Sequence, residues 1–224
     1  MNENVKQFLV YYLFYVLCGQ ACSLCGVSGL YPNAVSGICL FLFSRSILKG
    51  QKRQPLQITG TLILFTFAFF LVTQYLFFYL NRLFYGRVLI LPQPAEQSPL
   101  WVKIAVAGVI SPAAEEILFR RFLYQGLKPM GRNKAVLSSS IIFGLCHGKL
   151  VQSIYSALWG MVFCFLYEKY QNLKVSMLVH MISNLLSLTA IFRMCLSNPY
   201  VSVCFILISV CIVCLTVRTK GECL

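Results

Sequence analysis

Residues 100–121 read LWVKIAVAGVISPAAEEILFRR, an apolar run that ends in two adjacent carboxylates. A helix crosses a bilayer with ~20 mainly apolar residues, so this run predicts a transmembrane helix. The whole 224-residue chain has the same character, because apolar residues make up 58% of it and charged residues 11%. An average soluble protein holds about 45–50% and 25% of these two classes. Such a chain cannot cover its surface with polar groups, so we expect an integral membrane protein.

Further apolar runs accompany this one and predict an all-α fold: a polytopic membrane protein, built as a bundle of about eight transmembrane helices. The candidate spans are 8–27, 33–48, 58–80, 100–119, 135–148, 151–168, 174–192 and 199–217. The run at 135–148 is short for a bilayer and needs other helices around it. No soluble domain fits between the spans, so residues 1–224 are expected to form a single transmembrane domain.

Positive charge is the other compositional feature, with 19 Lys and Arg against six acids and a net charge of +13. In a soluble protein this balance would indicate nucleic-acid binding. Here the basic residues lie at the edges of the apolar runs, fourteen on one side of the predicted bundle and five on the other. Cytoplasmic loops carry the excess of Lys and Arg, so both termini are predicted to be cytoplasmic. Membrane lipid, and not nucleic acid, is the expected partner.

Ionisable residues inside the spans single out a candidate site. The chain has no Asp and only two His, and its adjacent Glu115 and Glu116 lie near the end of an apolar run. Ionisable groups at membrane depth are costly and are functional candidates by default. Glu116 and Arg120 are one helical turn apart and can form an ion pair, whereas Glu115 projects about 100° away and needs a different role. Pro112 lacks an N–H donor and is expected to kink or open the helix beside them.

Two more residue pairs with the spacing of one helical turn stand on later spans. Phe143 precedes His147 by four residues, and His180 precedes Asn184 by four. Each polar group also has a structural explanation when taken alone: an ion pair at the membrane edge, an interfacial histidine, or an amide that joins two helices. Taken together they form one constellation, because three different spans each offer polar groups from an apolar stretch.

The three groups stand in the order Glu-Glu-x-x-x-Arg, Phe-x-x-x-His and His-x-x-x-Asn, on successive predicted helices. This order resembles the type II CAAX prenyl protease (Rce1-like) family, also called the CPBP or Abi family of intramembrane proteases. The resemblance covers residues 100–195, which would be the catalytic core of the transmembrane domain. It implies a helical bundle with a water-filled cavity open to the cytoplasm, and an endopeptidase reaction inside that cavity.

The resemblance also implies a role for each motif residue. Glu115 would be the general base, and His147 would orient the attacking water or help to deprotonate it. His180 and Asn184 would form the oxyanion site. Three further residues would support these groups: Glu116, Arg120 and Phe143. Peptide hydrolysis needs such an activated water and donors for the tetrahedral oxyanion.

A metal is compatible with the resemblance but is not required by it. Zinc could be held by Glu115, His147 and His180, which are ligand types that zinc uses. The same residues also work as a metal-free glutamate protease, so no obligatory cofactor is predicted. The expected substrate is a peptide or protein at the membrane, prenylated or not. Short loops and the lack of extra domains favour a bacterial inner (cell) membrane.

Two functions of other classes remain as alternatives. The chain could be a non-enzymatic immunity or scaffold protein of the same family, although three intact motifs argue against a degenerate relative. It could also be a small proton-coupled transporter with Glu115 as the coupling carboxylate. Transporters more often contain repeated halves with paired broken helices, and the sequence has no such repeat.

Overall fold

The computed structural model describes residues 2–49, 59–86, 98–188 and individual residues between 200 and 211. The helices with defined bounds are α1 Glu3–Leu24, α2 Tyr31–Lys49, α3 Gly60–Tyr85, α4 100–127, α5 Arg132–Leu145, α6 Leu150–Tyr170 and α7 Leu173–Ser187. The described residues between 200 and 211 are also helical, and this described part of the chain holds no strand. The all-α fold class is confirmed, and the count of about eight helices fits approximately. Most of the predicted span 199–217 lies outside the described residues.

Membrane-length helices are present, and they support an integral membrane protein. Within the described ranges, α1, α3 and α6 are long and apolar enough to cross a bilayer. The apolar part of α2 and the whole of α7 are shorter. The short span predicted at 135–148 corresponds to α5. This helix has 14 residues, fewer than the ~20 that a bilayer requires.

The chain divides into two compact units. The first holds residues 1–56 and 90–185, and the second holds 57–89 and 186–224. In the second unit, α3 begins at the capping residue Thr59, whose hydroxyl accepts from the N–H of Leu62 at 3.1 Å. Every residue of the predicted site lies in the first unit.

Helix α4 carries the quoted sequence and is not a uniform α-helix. Its Ser111–Glu116 segment is α-helical, whereas Lys103–Ile110 before it and Ile117–Tyr124 after it are π-helical. The backbone keeps right-handed helical angles across both joints, with φ −62° and ψ −49° at Ser111 and φ −61° and ψ −50° at Ile117. Pro112 therefore does not break α4, and the expected kink or opening takes the form of widened turns. π-Helical turns occur frequently at functional sites.

Small residues bring the helices of the first unit close together. At Gly144 of α5 a Cβ would collide with the backbone of Ser153 and with Ala157 of α6. At Gly160 of α6 a Cβ would lie 3.1 Å from the backbone of Ser140. Small residues at such crossings let helix backbones approach in membrane proteins. This packing fixes α5 and α6 against each other beside the candidate site.

Candidate active site

His180 of α7 contacts both carboxylates of α4. Its Nδ1 lies 3.0 Å from Oε1 of Glu116, which is hydrogen-bond distance. Its Nε2 lies 3.7 Å from Oε2 of Glu115, within range of an ion pair but beyond a hydrogen bond. A carboxylate only accepts, so the proton on Nδ1 is the one donated to Glu116. The sequence placed the two carboxylates on different faces, and the structure adds that one imidazole reaches both.

Glu115 and Glu116 differ sharply in exposure. The Glu115 side chain is 23% exposed, whereas that of Glu116 is 0% exposed. Water and a substrate can therefore reach Glu115 but not Glu116. This difference agrees with the separate roles that the sequence predicted for them.

The predicted pair of Glu116 with Arg120 is present and fully buried. Nε of Arg120 lies 3.3 Å from Oε2 of Glu116, and both side chains are 0% exposed. The guanidinium carbon lies 4.5 Å from the ring centre of Phe143 and 5.1 Å from that of Phe163. Cations over aromatic faces are attracted by the ring quadrupole. The predicted ion pair is therefore buried inside the first unit and packed against two aromatic rings.

Phe143 lies at the centre of the aromatic contacts around the site. Its ring centre is 5.0 Å from that of His147 and 5.9 Å from that of His180, with both pairs edge to face. It also meets Phe119 edge to face at 5.0 Å. Edge-to-face pairs at these distances add stability beyond the buried area. Phe143 therefore packs against both histidines of the candidate site.

Phe163 of α6 belongs to the same cluster, although it lies in none of the three motifs. Its ring is stacked on His180 with centres 4.4 Å apart and an angle of 23°. Trp159, one turn earlier, stacks on Phe163 at 5.3 Å. The only sequence signal was this i, i+4 aromatic pair, which is common in apolar helices.

His147 lies just beyond the end of α5, and not one turn along the helix as predicted. The helix ends at Leu145, and the backbone turns at Gly148, whose φ is +71°. The N–H of His147 bonds the carbonyl of Gly144 at 3.0 Å. Its Nδ1 lies 2.9 Å from the carbonyl oxygen of Phe143, so Nδ1 carries the proton and donates to it. The remaining nitrogen, Nε2, is then the acceptor of a neutral imidazole.

The side chain of Asn184 in α7 donates a hydrogen bond to a backbone carbonyl of α4. This carbonyl lacks a backbone N–H partner because Pro112 has none. Its amide nitrogen Nδ2 lies 2.9 Å from the carbonyl oxygen of Ala107. In the π-helical turn, the N–H of Ser111 bonds the carbonyl of Val106. The next residue, Pro112, has no N–H to offer to Ala107. Asn184 supplies the missing donor and ties α7 to α4.

Helix α1 packs against α4 beside this region, although none of the three motifs lies on it. The ring of Tyr12 meets Phe119 of α4 edge to face at 6.2 Å and stacks on Phe8 at 5.5 Å. At Gly126 of α4 a Cβ would collide with Val5 of α1. The position of α4 therefore depends on α1 as well as on the other motif helices.

The zinc set considered from the sequence does not assemble in this structure. Among the residues that the structure describes, no three His, Cys, Asp or Glu side chains are grouped closely enough to hold a metal ion. His180 reaches Glu115, whereas the contacts of His147 described above are with Phe143. The donor types suit zinc, but their placement does not fit a common ligand sphere.

Known proteins support the resemblance read from the motifs. Residues 97–186 match the family model of the type II CAAX prenyl endopeptidase Rce1-like proteins. A Bacillus subtilis (strain 168) protein named "Putative membrane peptidase YdiL" is 32% identical over 82 residues. That match covers 36% of this chain, and the chain spans about a third (34%) of the relative's length. No solved structure matches the chain significantly. The predicted resemblance is confirmed for the segment that carries all three motifs.

Proposed function

We propose that the protein is an intramembrane endopeptidase that hydrolyses a peptide bond of a membrane-associated or prenylated peptide. One observation carries the proposal: the partly exposed Glu115 lies beside His180, whose other nitrogen is bonded to the buried Glu116. The similarity of residues 97–186 to CAAX endopeptidases supports the same reaction class.

In the proposed mechanism, Glu115 takes a proton from water as the water attacks the peptide carbonyl. A general base of this kind typically contributes about 10²–10⁴-fold in rate. His147 has its Nδ1 proton engaged by Phe143, so Nε2 is the nitrogen that orients the water. Glu115, now a carboxylic acid, returns the proton to the leaving amine. Water is thus divided between the two products, with no change in redox state.

His180 and Asn184 are assigned to the oxyanion that forms at the carbonyl. Donors fixed in place before the reaction stabilise such a charge best. His180 is held by Glu116 through Nδ1 and by stacking on Phe163. Its donor to the oxyanion is the second N–H, at Nε2, which the ring carries as an imidazolium between Glu116 and Glu115. Asn184 is held by its bond to Ala107. Both groups are therefore preorganised by contacts within the first unit.

The test measures cleavage of a quenched fluorescent peptide by the purified protein in liposomes. One peptide ends in a farnesylated cysteine motif, and a second is an unprenylated apolar peptide. Wild type should cleave at least one of them. Glu115→Gln and His147→Ala should each lower the rate by at least ~10²-fold while the variants still fold.

Glu3→Gln is the matched control, because it makes the same chemical change at an exposed helix start where the Glu3 side chain is 72% exposed. It should cleave at the wild-type rate. Near wild-type cleavage by Glu115→Gln would remove Glu115 from the role of base. If folded wild type cleaves neither peptide, the non-enzymatic and transporter alternatives are favoured. Proton flux into the same liposomes distinguishes them, because only a transporter should produce it.

A further inference from the structure

We infer that Trp159 and Phe163 of α6 form an aromatic column that fixes the plane of the His180 imidazole, which makes α6 a further element of the site. Neither residue belongs to the three motifs. The inference rests on the proposed function in giving His180 its role at the oxyanion. The placement of the rings rests on distances and angles between α6 and α7, and it does not depend on the reaction.

The hydrogen bond to Glu116 alone leaves the orientation of the His180 ring incompletely fixed. It holds Nδ1 at 3.0 Å from Oε1 of Glu116. Hydrogen bonds tolerate a broad range of angles at a carboxylate oxygen, so the ring can still tilt about this bond. Such a tilt moves Nε2 on the far side of the ring, which lies 3.7 Å from Oε2 of Glu115. A second contact is needed to keep Nε2 in place.

Phe163 supplies this second contact on the face of the imidazole. The two ring centres are 4.4 Å apart and the ring planes differ by 23°, which is a stacked arrangement. Phe143 meets the same imidazole at 86°, with the centres 5.9 Å apart. One neighbouring ring is thus nearly parallel to the imidazole and the other nearly perpendicular. Because protein interiors are close-packed, a tilt of the imidazole would have to displace one of these buried rings.

Phe163 is itself held in place within α6. The indole of Trp159, one turn earlier, stacks on it with ring centres 5.3 Å apart and an angle of 30°. Trp159 is 2% exposed and Phe163 is 0% exposed. Between them, Gly160 brings α6 so close to α5 that a Cβ would lie 3.1 Å from Cα of Ser140. Phe163 therefore presents its ring to His180 from a rigid support.

The Phe163 ring also contacts the second partner of the buried carboxylate. The guanidinium carbon of Arg120 lies 5.1 Å from its centre, and Nε of Arg120 lies 3.3 Å from Oε2 of Glu116. Phe163 therefore touches both groups that pair with Glu116. A donor that is fixed before the reaction needs no reorganisation when the oxyanion forms. The column should accordingly affect turnover and not substrate binding.

The first experiment separates the ring of Phe163 from its volume. Phe163→Leu keeps apolar volume but removes the ring, whereas Phe163→Tyr keeps the ring. Phe163→Leu should lose about 10–10²-fold in kcat on the quenched peptides described above, the effect of a misplaced group. KM should not change, because the oxyanion exists only in the transition state. Phe163→Tyr should keep kcat close to the wild-type value, although its buried hydroxyl should lower the melting temperature.

Phe70→Leu is the matched control, because Phe70 of α3 is 1% exposed and lies in the second unit. It should lower the melting temperature and leave kcat unchanged. A folded Phe163→Leu protein with wild-type kcat would overturn the inference and leave the proposed function standing. A rise in KM alone would also overturn it, because it would assign Phe163 to substrate binding. A loss of kcat shared by Phe163→Tyr and Phe70→Leu would do the same, because activity would then follow stability and not the ring.

A second measurement tests the placement without any activity. The chain has only two histidines, so ring-labelled ¹³C,¹⁵N-histidine gives two imidazole signals in an NMR spectrum, and His147→Gln identifies them. A stacked aromatic ring shifts the imidazole C–H protons upfield. Phe163→Leu should therefore move the His180 signal downfield, whereas Phe163→Tyr should leave it near its wild-type position. The ¹⁵N shifts report the charge of the ring, so a change of protonation is distinguished from a change of stacking.

The same spectra contain the control and the contrary outcomes. Phe70→Leu should move neither histidine signal. An unmoved His180 signal in folded Phe163→Leu would overturn the inference, even if no peptide is cleaved. If Phe163→Leu does not fold, wild type decides the question. His180 C–H protons at the positions of an unstacked imidazole of the same charge would then overturn the inference as well.

Discussion

The guanidinium of Arg120 lies against the face of Phe143, with its carbon 4.5 Å from the ring centre. The same ring meets both histidines edge to face. We expect Phe143→Leu to keep the apolar volume but to release Arg120, His147 and His180 together. The variant should therefore have a lower melting temperature and a lower rate of peptide cleavage. Phe14→Leu is the matched control, because Phe14 forms an edge-to-face pair at 4.8 Å with Phe43 of α2, a helix that holds no candidate site residue. It should lower the melting temperature alone.

Coupling between Glu116 and Arg120 gives the second prediction. Both side chains are fully buried, so Arg120→Ala should strand a charge and cost about 3–5 kcal/mol. The double change, with Glu116→Ala, should cost less than the sum of the single changes. Melting temperatures of the four proteins in detergent test this. The exposed pair of Lys6 with Glu3 should show almost no coupling, since such pairs are worth under ~1 kcal/mol. If the double change cost as much stability as the two single changes summed, the pairing of Glu116 with Arg120 would be contradicted.

The third prediction concerns the carbonyl of Ala107, which Asn184 satisfies because Pro112 has no N–H. Asn184→Ala should lower stability by about 1–3 kcal/mol, the cost of an unsatisfied buried group. In a Pro112→Ala background the new N–H can serve Ala107, so the same change should cost clearly less. Thermal unfolding of the four combinations measures the difference. Asn81→Ala in α3, whose amide bonds the carbonyl of Phe77 in its own helix, should cost the same in both backgrounds.

Metal dependence is the fourth prediction. Glu115, His147 and His180 do not meet as a ligand set, so protein treated with a chelator should keep most of its peptide cleavage. The assay compares chelator-treated protein before and after addition of zinc. Complete loss that zinc alone restores would establish a zinc enzyme and would require His147 to move toward Glu115.

Topology supplies the fifth prediction. The count of fourteen basic residues against five predicts that both termini are cytoplasmic. A reporter that is active only in the cytoplasm, fused after Leu224, should give signal. The same fusion with a reporter that works only after export should stay silent. The opposite result would place the exposed side of Glu115 on a different face of the membrane.

Contacts between neighbours on one helix could be predicted from the sequence, and contacts between helices could not. The four-residue spacing of Glu116 and Arg120 predicted their ion pair, because the helix itself brings such residues together. The stacking of Phe163 on His180 depends on how α6 packs against α7, which no spacing specifies. The contact of Tyr12 with Phe119 likewise depends on α1 lying against α4.

The local backbone geometry around Pro112 and His147 could be predicted only in part from the sequence. Pro112 indicated a disturbance of α4, since its missing N–H is visible in the sequence. The form of the disturbance, a widened turn whose carbonyl is satisfied by Asn184, depends on a residue 77 positions away along the chain. His147 was misplaced within a helix because the positive φ of Gly148, which ends the turn, has no unique sequence signature.

The distribution of the candidate site over α4, α7 and the end of α5 has a consequence for how the protein is made. A chain synthesised from its N-terminus inserts α1 first and α7 much later. Until α7 is in place, Glu116 has Arg120 as its partner, but the imidazole of His180 and the amide of Asn184 are still missing. Under the proposed function, the unfinished chain holds its base without its oxyanion donors. A nascent molecule would then be inactive toward nearby peptides until α7 has inserted.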